Sequence, residues 1–247
     1  MRKEERLDKI MGLVGLKNNV TLEELSVLLK VSPDTVRRDV RELSEHGMLK
    51  AVRGGAMQNL PLPYTDRQDV GIEEKKIIAS KVQQFIKPNM VLFIDAGTTT
   101  KSAAMEIPKN MPLTVVTNSF PVATVLVNHP LVVLHFLGGA MNKQAFSTNG
   151  HDTIEAIKNI QAHVCLMGIC SINLQKGVTG FDYEDTLVKK AMIANAQFNI
   201  ALSTYDKVGT VDPYFICGVD ALNVFVTEKD PSPADTGDFR DAGVKLI

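Results

Sequence analysis

The first fifty residues alternate apolar and polar positions with the period of a helix. A helix over residues 2–16 is predicted by apolar side chains at i, i+3, i+4 and i+7: Leu7, Ile10, Met11 and Val14. Thr21-Leu22-Glu23-Glu24 is a capping box, a hydroxyl residue followed three positions later by an acid. It predicts a second, short helix whose apolar edge is Leu25, Leu28 and Leu29.

The stretch from Ser32 to Leu43 predicts a third helix with one apolar and one basic edge. The apolar edge consists of Val36, Val40 and Leu43. Four other side chains project away from it, toward solvent or a polyanion: Thr35, Arg37, Arg38 and Arg41. Ser32 is a suitable N-cap and Pro33 suits the first helical position. We expect Gly47 to end the helix, after His46.

Only Lys30 and Val31 separate the second predicted helix from Ser32. Two short helices joined so tightly, the second one basic, favour a helix-turn-helix. Residues 48–57 then predict two short strands around Gly54-Gly55, a small hairpin or wing. We therefore predict a first domain over residues 1–57.

The pattern changes at residues 58–74, where a Pro-rich stretch without periodicity predicts a linker. From residue 75 to residue 247, helical patterns alternate with short apolar runs that predict buried strands: Met90–Ile94, Leu113–Val116, Leu131–Leu137, Val164–Met167, Asn199–Leu202 and Asn223–Val226. Alternation of this kind predicts an α/β domain with a mainly parallel sheet covered on both faces.

Composition changes this interpretation little. The net charge is −1, and residues 1–57 carry 11 Lys or Arg against 9 Asp or Glu, so the spacing of the arginines counts for more than the total charge. The three cysteines, Cys165, Cys170 and Cys217, lie among apolar residues and are expected to be reduced core residues. Because no apolar run resembles a signal peptide or membrane span, we expect a cytoplasmic location.

Polar residues cluster where the predicted strands end, which is where parallel sheets bind ligands. Gly97 lets backbone approach a ligand, and the start of the helix after it favours an anion. The candidate ligand-binding residues are Asp95, Gly97, Thr98, Thr99, Thr117, Asn118, Ser119, Gly138, Gly139 and Lys207. A phosphate-bearing metabolite fits this set, although each loop taken alone is equally consistent with helix caps and turns.

Catalysis has little support in the sequence. There is no GxSxG, HExxH or GxxxxGK[ST] motif, and the five histidines are scattered. Asp95 could serve as a general base, but no partner acid is identifiable. We predict no catalytic residues, no cofactor and no metal site.

Along essentially its whole length the chain resembles the DeoR family of bacterial transcriptional regulators. The most specific match is Val31-Ser-Pro-Asp-Thr-Val-Arg-Arg-Asp-Val-Arg-Glu-Leu43. Further matches follow in the family's order: Gly54-Gly55-Ala56, Asp95-Ala-Gly-Thr-Thr99, Thr117-Asn118-Ser119, Gly138-Gly139 and Asp206-Lys207-Val208-Gly209. The resemblance implies a winged helix-turn-helix joined to a sugar-phosphate sensor domain with a fold similar to ribose-5-phosphate isomerase, usually without its activity.

Three positions depart from the family's pattern. Arg53 stands where a His usually precedes Gly-Gly-Ala, and it keeps a cation on the wing. Thr204 and Glu228 each stand where Asp is usual. The last two bear on which ligand the strand-end loops take.

The resulting hypothesis is a regulator, most simply a repressor, of carbohydrate genes that is controlled by a phosphorylated sugar. The candidate DNA-contacting residues are Ser32, Thr35, Arg37, Arg38, Arg41 and Arg53. Because operators are usually symmetric, we expect a dimer or tetramer. The alternatives are a phosphosugar isomerase with an accessory DNA-binding module, and a DNA-binding protein whose large domain only oligomerises. Pairing of the arginines with Asp34, Glu42 or Glu45 would instead make the third helix a plain surface helix.

Overall fold

The structure is a computed structural model that describes residues 1–17, 19–45, 48–58 and 63–247. The chain forms two compact units, Met1–Pro61 with Thr210–Pro213, and Leu62–Gly209 with Tyr214–Ile247. Within the described ranges, no helix is both long and apolar enough to cross a membrane. Two predictions lie outside the described residues: the helix end at His46 and Gly47, and the part of the linker at residues 59–62.

The amino-terminal unit has three helices and a three-stranded sheet. The helices are α1 (Lys3–Lys17), α2 (Leu22–Leu29) and α3 (Pro33–Glu45), and the strands are β1 (Asn19–Thr21), β2 (Leu49–Val52) and β3 (Gly55–Gln58). β2 and β3 form the predicted hairpin, and β1, which the sequence pattern did not reveal, adds antiparallel to β3. The helix-turn-helix and wing are therefore confirmed as structural elements.

The core of this unit follows the predicted periodicity with one exception. Val36, Val40 and Leu43 of α3 are buried, as expected. On α2, Leu25 and Leu29 are buried but Leu28 is exposed, so the predicted three-residue apolar edge was wrong at that position. The capping box at Thr21 is present, with reciprocal bonds between Thr21 and Glu24.

The larger unit surrounds a seven-stranded parallel sheet. Its strands are β4 (Val91–Ile94), β5 (Leu113–Thr117), β6 (Val132–Phe136), β9 (Ala162–Gly168), β12 (Ala196–Leu202), β14 (Val224–Val226) and β15 (Lys245–Leu246). Their spatial order is β15-β14-β12-β9-β4-β5-β6. The predicted parallel α/β sheet is thus confirmed, and separate apolar clusters cover its two faces.

The remaining elements complete the unit. The helices are α4 (Tyr64–Gln68), α5 (Ile72–Val82), α6 (Thr98–Met105), α7 (Phe120–Leu126), α8 (His151–Lys158), α9 (Tyr183–Ala194) and α10 (Pro233–Asp241), with 3-10 turns at Gln83–Phe85, Tyr205–Lys207 and Val219–Ala221. The short strands are β7 (Ala140–Asn142), β8 (Ser147–Asn149), β10 (Ser171–Asn173), β11 (Gly177–Gly180) and β13 (Tyr214–Cys217).

Helix α4 and the start of α5 fall within the segment predicted as a linker, and Tyr64 is buried there. That part of residues 58–74 is regular structure. The predicted domain boundaries at residues 57 and 75 stay predictions.

Sheet order places one crevice at the centre of the larger unit. From β4 the chain adds β5 and β6 on one side, then crosses to add β9, β12, β14 and β15 on the other. The order therefore reverses between β4 and β9. In open α/β sheets, ligands bind at such a reversal, outside the carboxyl ends of the strands.

Candidate nucleic-acid interface and ligand-binding edge

Helix α3 presents its basic edge to solvent. Arg37, Arg38 and Arg41 are exposed, as is Arg53 in the β2–β3 turn. Ser32 caps the helix by accepting a hydrogen bond from the Thr35 N–H at 3.2 Å, and its hydroxyl lies 2.9 Å from that of Thr35. The predicted DNA-contacting residues of this unit are thus at the surface and available to a polyanion.

One of these arginines has a local partner. Arg37 Nη1 lies 2.5 Å from Asp34 Oδ1, an exposed i, i+3 pair that stabilises a helix by only about 0.2–0.5 kcal/mol. Glu42, another suggested partner, pairs with Lys3 on α1 at 2.7 Å. The competing interpretation of a plain surface helix is therefore supported at Arg37, and a phosphate could displace so weak a pair.

A groove of about 460 Å³ separates α3 from the wing. The helix side is lined by Arg37, Arg41, Ser44 and Glu45, and the wing side by Ala51, Val52, Gly54 and Gly55. Gly55 is needed here, because a Cβ at this position would lie 2.5 Å from the Val20 carbonyl oxygen. The close packing of β3 against β1 holds the wing beside the basic edge.

The helix is anchored by an ion pair that the sequence pattern did not reveal. Arg6 on α1 donates two hydrogen bonds to Asp39 on α3, at 2.5 and 2.9 Å. Asp39 is buried in α3, between the apolar positions and the exposed arginines. The hydrogen bond to Asp39 raises the pKa of the Arg6 guanidinium, so the guanidinium stays charged.

In the larger unit, the predicted ligand-binding residues lie at one edge of the sheet, because all seven strands are parallel. Asp95 follows β4, Thr117 ends β5, Gly138 and Gly139 follow β6, and Lys207 lies in the turn after β12. The loops after β4 and β5 are joined directly, since Thr117 Oγ1 donates to the Ile94 carbonyl oxygen at 2.6 Å.

The α6 amino terminus resembles an anion site. Gly97 is its N-cap residue and provides no side chain, so the first N–H groups of the helix have no capping acceptor. Within the described part of the chain, the hydroxyls of Thr98 and Thr99 make no hydrogen bond. Thr100 is instead structural, since it donates to the carbonyl oxygens of Asp95 and Gly97.

Asp95 is fully buried and pairs with Lys189 of α9, a residue that sequence reasoning missed. Oδ2 of Asp95 also accepts the Gly168 N–H at 3.2 Å, and Asp185 lies 3.4 Å from Lys189. A lysine is therefore present at the end of β4, in addition to Lys207. The sequence does carry a signal for Lys189, because it lies three positions from both Thr186 and Met192 and so shares the buried face of α9 with them.

Burial and the neighbouring charges together set the protonation of this cluster. Loss of solvent raises the pKa of Asp95, against the opposing effect of Lys189. Loss of solvent lowers the pKa of Lys189, but the attraction of Asp185 and Asp95 outweighs it and leaves that pKa raised. The lysine stays protonated, while the carboxylate is the member of the pair that ionises less readily.

Two buried acceptor oxygens at neighbouring strand ends have no hydrogen-bond partner among the described residues: Asp95 Oδ1 and Asn118 Oδ1. Each is held in place by other atoms of its side chain, because Asp95 Oδ2 accepts from Lys189 and Asn118 Nδ2 donates to the Thr148 carbonyl oxygen at 2.8 Å. Buried acceptors without donors are costly, so they indicate a missing hydrogen-bond donor.

Ser119 and Gly139 have structural roles in this conformation. Ser119 caps α7 by accepting the Val122 N–H. Gly139 has a φ of +139°, and a Cβ there would lie 2.1 Å from Thr153 Oγ1. The site prediction for Gly138, Gly139 and Ser119 stays a prediction.

Lys207 lies in the 3-10 turn after β12, two strands from β4, and its ammonium is 2.8 Å from Asp206. Thr204 and Glu228, the two residues that stand where the family usually has Asp, make hydrogen bonds that stabilise this turn. Glu228 accepts the Tyr205 N–H at 2.8 Å, and Thr204 donates to Asp206 at 2.5 Å. The longer Glu side chain thus fixes the loop that carries Lys207.

Comparison with known proteins matches both units. A model of the DeoR-like helix-turn-helix domain matches residues 6–60, and a model of the DeoR C-terminal sensor domain matches residues 71–229. The chain belongs to the DeoR family. It is a helix-turn-helix transcriptional regulator of that family, as the resemblance of its motifs predicted.

Relatives of this DeoR-family chain match it from end to end. The glycerol-3-phosphate regulon repressor of Escherichia coli is 31% identical over 94% of this chain and 93% of the relative. The transcriptional repressor GlcR of Bacillus subtilis is 30% identical, covering 100% and 96%. The transcriptional regulator GolR of Listeria innocua is 30% identical, covering 98% and 97%.

A solved structure shares this type of fold at low identity. A chain of the tetrameric eIF2B-beta2-delta2 complex from C. thermophilum superposes with a TM-score of 0.51 at 15% identity, covering 98% of this chain and 96% of that one. Ribose 5-phosphate isomerase A from Methanocaldococcus jannaschii gives a TM-score of 0.40 at 15% identity, covering 54% and 53%.

Proposed function

We propose that the chain is a repressor of carbohydrate genes that binds operator DNA through α3 and is controlled by a phosphorylated polyhydroxy effector at the β4–β9 crevice. The exposed basic edge of α3 carries the first half of this proposal. Its second half rests on the uncapped α6 amino terminus beside two buried acceptors that lack donors.

For the DNA half, α3 enters the major groove and the wing reaches an adjacent phosphate. Ser32, Thr35, Arg37, Arg38 and Arg41 supply contacts to base edges and phosphates, and Arg53 supplies the wing contact. An arginine that reads a base contributes about 1–3 kcal/mol and local specificity, whereas a phosphate contact mainly sets the dependence on salt. Such a regulator works in the compartment that holds its DNA, consistent with the cytoplasmic expectation.

For the effector half, the phosphate lies at the α6 amino terminus, where unpaired N–H groups and the Thr98 and Thr99 hydroxyls donate to it. The hydroxyl groups of the effector donate to Asp95 Oδ1 and Asn118 Oδ1. A ligand rich in hydroxyls supplies the donors that these two oxygens lack. Lys189 does not bind the phosphate in this arrangement, because Asp95 and Asp185 already surround it.

Effector control requires that the ligand binds the DNA-competent and DNA-incompetent states with different affinity, since equal affinity would shift nothing. It also requires at least two copies on a symmetric operator. Glycerol-3-phosphate, after which the regulon of the E. coli relative is named, is a phosphorylated polyol and belongs in the first panel of candidates.

Calorimetry against a panel of sugar and polyol phosphates tests the effector site. We expect one member to bind, and Thr98→Val/Thr99→Val to weaken it, because the substitution removes two hydroxyls and keeps the side-chain shape. Thr124→Val on the exposed face of α7 is the matched control and should leave binding unchanged. Equal affinity in wild type and the double variant would contradict the assigned phosphate position.

An isomerase function has no specific support beyond the buried Asp95. The relatives with which the chain aligns throughout are named as transcriptional regulators. We therefore propose a non-enzymatic role, and a turnover assay with aldose and ketose phosphates should show no conversion above buffer.

A further inference from the structure

One segment of the larger unit carries no formal charge. Residues 110–142 contain no Asp, Glu, Lys or Arg, whereas these residues make up 22% of the chain. A run of 33 residues without them is unusual for a surface-forming segment of a protein with ordinary composition.

The segment forms one border of the sheet. It contains β5, α7, β6 and β7, and β6 is the last strand in the spatial order. Val133 of β6 is 58% exposed, and the exposed apolar side chains around it include Leu131, Phe136 and Phe120. Phe120 and Phe136 contact each other with ring centroids 4.7 Å apart. Because side chains alternate along a strand, Val133 lies on one face of the sheet and Phe136 on the other, so exposed apolar side chains flank the edge of β6 on both faces. Apolar exposure on both sides of one edge marks it as a candidate interaction surface.

The backbone of β6 is open on its outer side. Leu137 donates its N–H to Thr117 of β5, and the Leu131 carbonyl accepts from Leu113. Because the bonding direction alternates along a strand, Val132, Leu134 and Phe136 direct their N–H and C=O groups away from β5. No strand of the described ranges pairs on that side. Natural edge strands are usually blocked by a Lys, a Pro or a bulge, and β6 has no Lys, Pro or bulge.

We propose that the β6 edge is the surface on which a second copy of this chain pairs, strand to strand and antiparallel, about a twofold axis. The outward residues Val132, Leu134 and Phe136 are centred on Leu134, so an antiparallel twofold through Leu134 brings the residues beside it close to their own counterparts, and like charges there would repel each other. The absence of charge over residues 110–142 removes that repulsion, and the same absence offers a charged partner nothing to pair with. The choice of a second copy rests on the proposed function, which needs two DNA-binding units.

The outward backbone groups and apolar side chains have complementary roles in this dimer. Val132, Leu134 and Phe136 exchange hydrogen bonds with the partner strand, which extends the parallel sheet through a central antiparallel pair. Val133 and its surroundings lose solvent contact. The same interface thus gives hydrogen-bond partners to the outward N–H and C=O groups of β6 and covers the exposed apolar side chains.

Sedimentation velocity on the full chain tests the proposal. We expect wild type to sediment as a dimer or a multiple of it, from protomers of 27.0 kDa. Val133→Glu should shift the protein to monomer, because the two glutamates would lie diagonally across the axis from each other in an apolar interface and would repel. Val70→Glu is the matched control, since Val70 is also 58% exposed but lies outside the segment. It should assemble as wild type does.

Two further variants separate loss of the interface from loss of the fold. Leu134→Pro removes one outward N–H without touching the β5 ladder and should weaken assembly while leaving the far-UV spectrum unchanged and melting cooperative. Co-expressed Val133→Glu and Val133→Lys should form a mixed dimer that neither forms alone. Assembly of folded Val133→Glu equal to wild type, or a wild type that stays monomeric throughout the concentration series, would overturn the proposal.

The outcome is distinguishable from failure of the proposed function. A wild type that dimerises through β6 but binds neither DNA nor any sugar phosphate supports the interface and rejects the function. A wild type that binds operator DNA with Val133→Glu still dimeric rejects the interface and leaves the function standing.

Discussion

In the amino-terminal unit the cations proposed to contact DNA lie in solvent, whereas in the larger unit an aspartate and a lysine are buried together below the sheet edge. Arg37, Arg38 and Arg41 gain from exposure, because a duplex is met from outside. Asp95 and Lys189 are excluded from water, where hydrogen bonds to a small ligand are stronger but an unpaired charge is costly. The two units thus use charge in opposite environments.

The ion pairs inside the two units also differ in burial, and the pair in the larger unit is the less exposed one. Arg6–Asp39 keeps the arginine 12% and the aspartate 4% exposed, and it joins α1 to the back of α3. Lys189–Asp95 is 3% and 0% exposed and joins α9 to the end of β4. Breaking the more buried pair should therefore be more destabilising.

The largest effect is expected for Lys189→Met. It leaves the Asp95 carboxylate buried without its cation, which costs about 3–5 kcal/mol of unfolding free energy. Urea unfolding measures this cost. Asp95→Asn/Lys189→Met should recover most of the loss, because both charges are then gone.

Lys190→Met is the control for Lys189→Met. Its exposed ammonium lies 5.7 Å from the Phe215 ring centroid, so its loss should cost no more than about 1 kcal/mol. If Lys189→Met were as stable as Lys190→Met, the buried pair would not hold α9 against β4.

Arg6→Met should have a smaller effect, about 1–3 kcal/mol, confined to the amino-terminal unit. It removes two hydrogen bonds from a buried carboxylate whose arginine partner is partly solvated. Hydrogen exchange of α1 and α3 reports the change locally, and Arg2→Met, at the exposed pair with Glu5, should leave exchange unaltered. Equal acceleration in the strands of the larger unit would show that the two units do not unfold separately.

The smallest effect is a pH dependence set by Asp95. The pKa of Asp95 is raised in the folded state above its ordinary value of about 3.9. At pH values between the unfolded-state pKa and the folded-state pKa, the folded protein therefore binds more protons than the unfolded protein. Stability from this group therefore falls as pH rises through that window, by at most about 1.4 kcal/mol per pH unit. Lys189, with a raised pKa, contributes equally at all pH values below about 10.4.

Unfolding free energies of wild type and Asp95→Asn/Lys189→Met, measured from about pH 4 to neutrality, reveal this dependence. The difference, wild type minus variant, should decline as the pH is raised. A difference that increases with pH would mean that the pair lowers the pKa of Asp95 instead.

The sequence predicted the amino-terminal unit well for a physical reason. The apolar positions of α3 are local and periodic, so Val36, Val40 and Leu43 reveal the buried face and leave the arginines outside. Strand β1 was not predicted, because a strand of three residues between two helices is too short to show a periodic pattern. The ion pair of Asp39 was not predicted either, because its partner Arg6 lies 33 positions away and no local pattern links the two residues.

In the larger unit the sequence predicted strands and their polar ends, but not the partners inside the site. Continuous apolar runs indicate buried parallel strands, and their carboxyl ends must meet at one edge. Lys189 lies 94 positions from Asp95 and follows the helical period of α9 like a core residue. Only the fold brings it to the end of β4, which is why Lys207 was the cation that the sequence suggested.

The most direct test joins both units in one titration. Fluorescence anisotropy would follow wild type binding to duplex from the region upstream of its own gene, with and without each sugar phosphate of the panel. We predict binding that weakens with salt, that Arg37→Ala/Arg38→Ala reduces, and that one sugar phosphate changes at least about fivefold. Binding that is indifferent to the arginines and to every phosphate would contradict the claim that a basic helix binds DNA under control of a sugar-phosphate crevice.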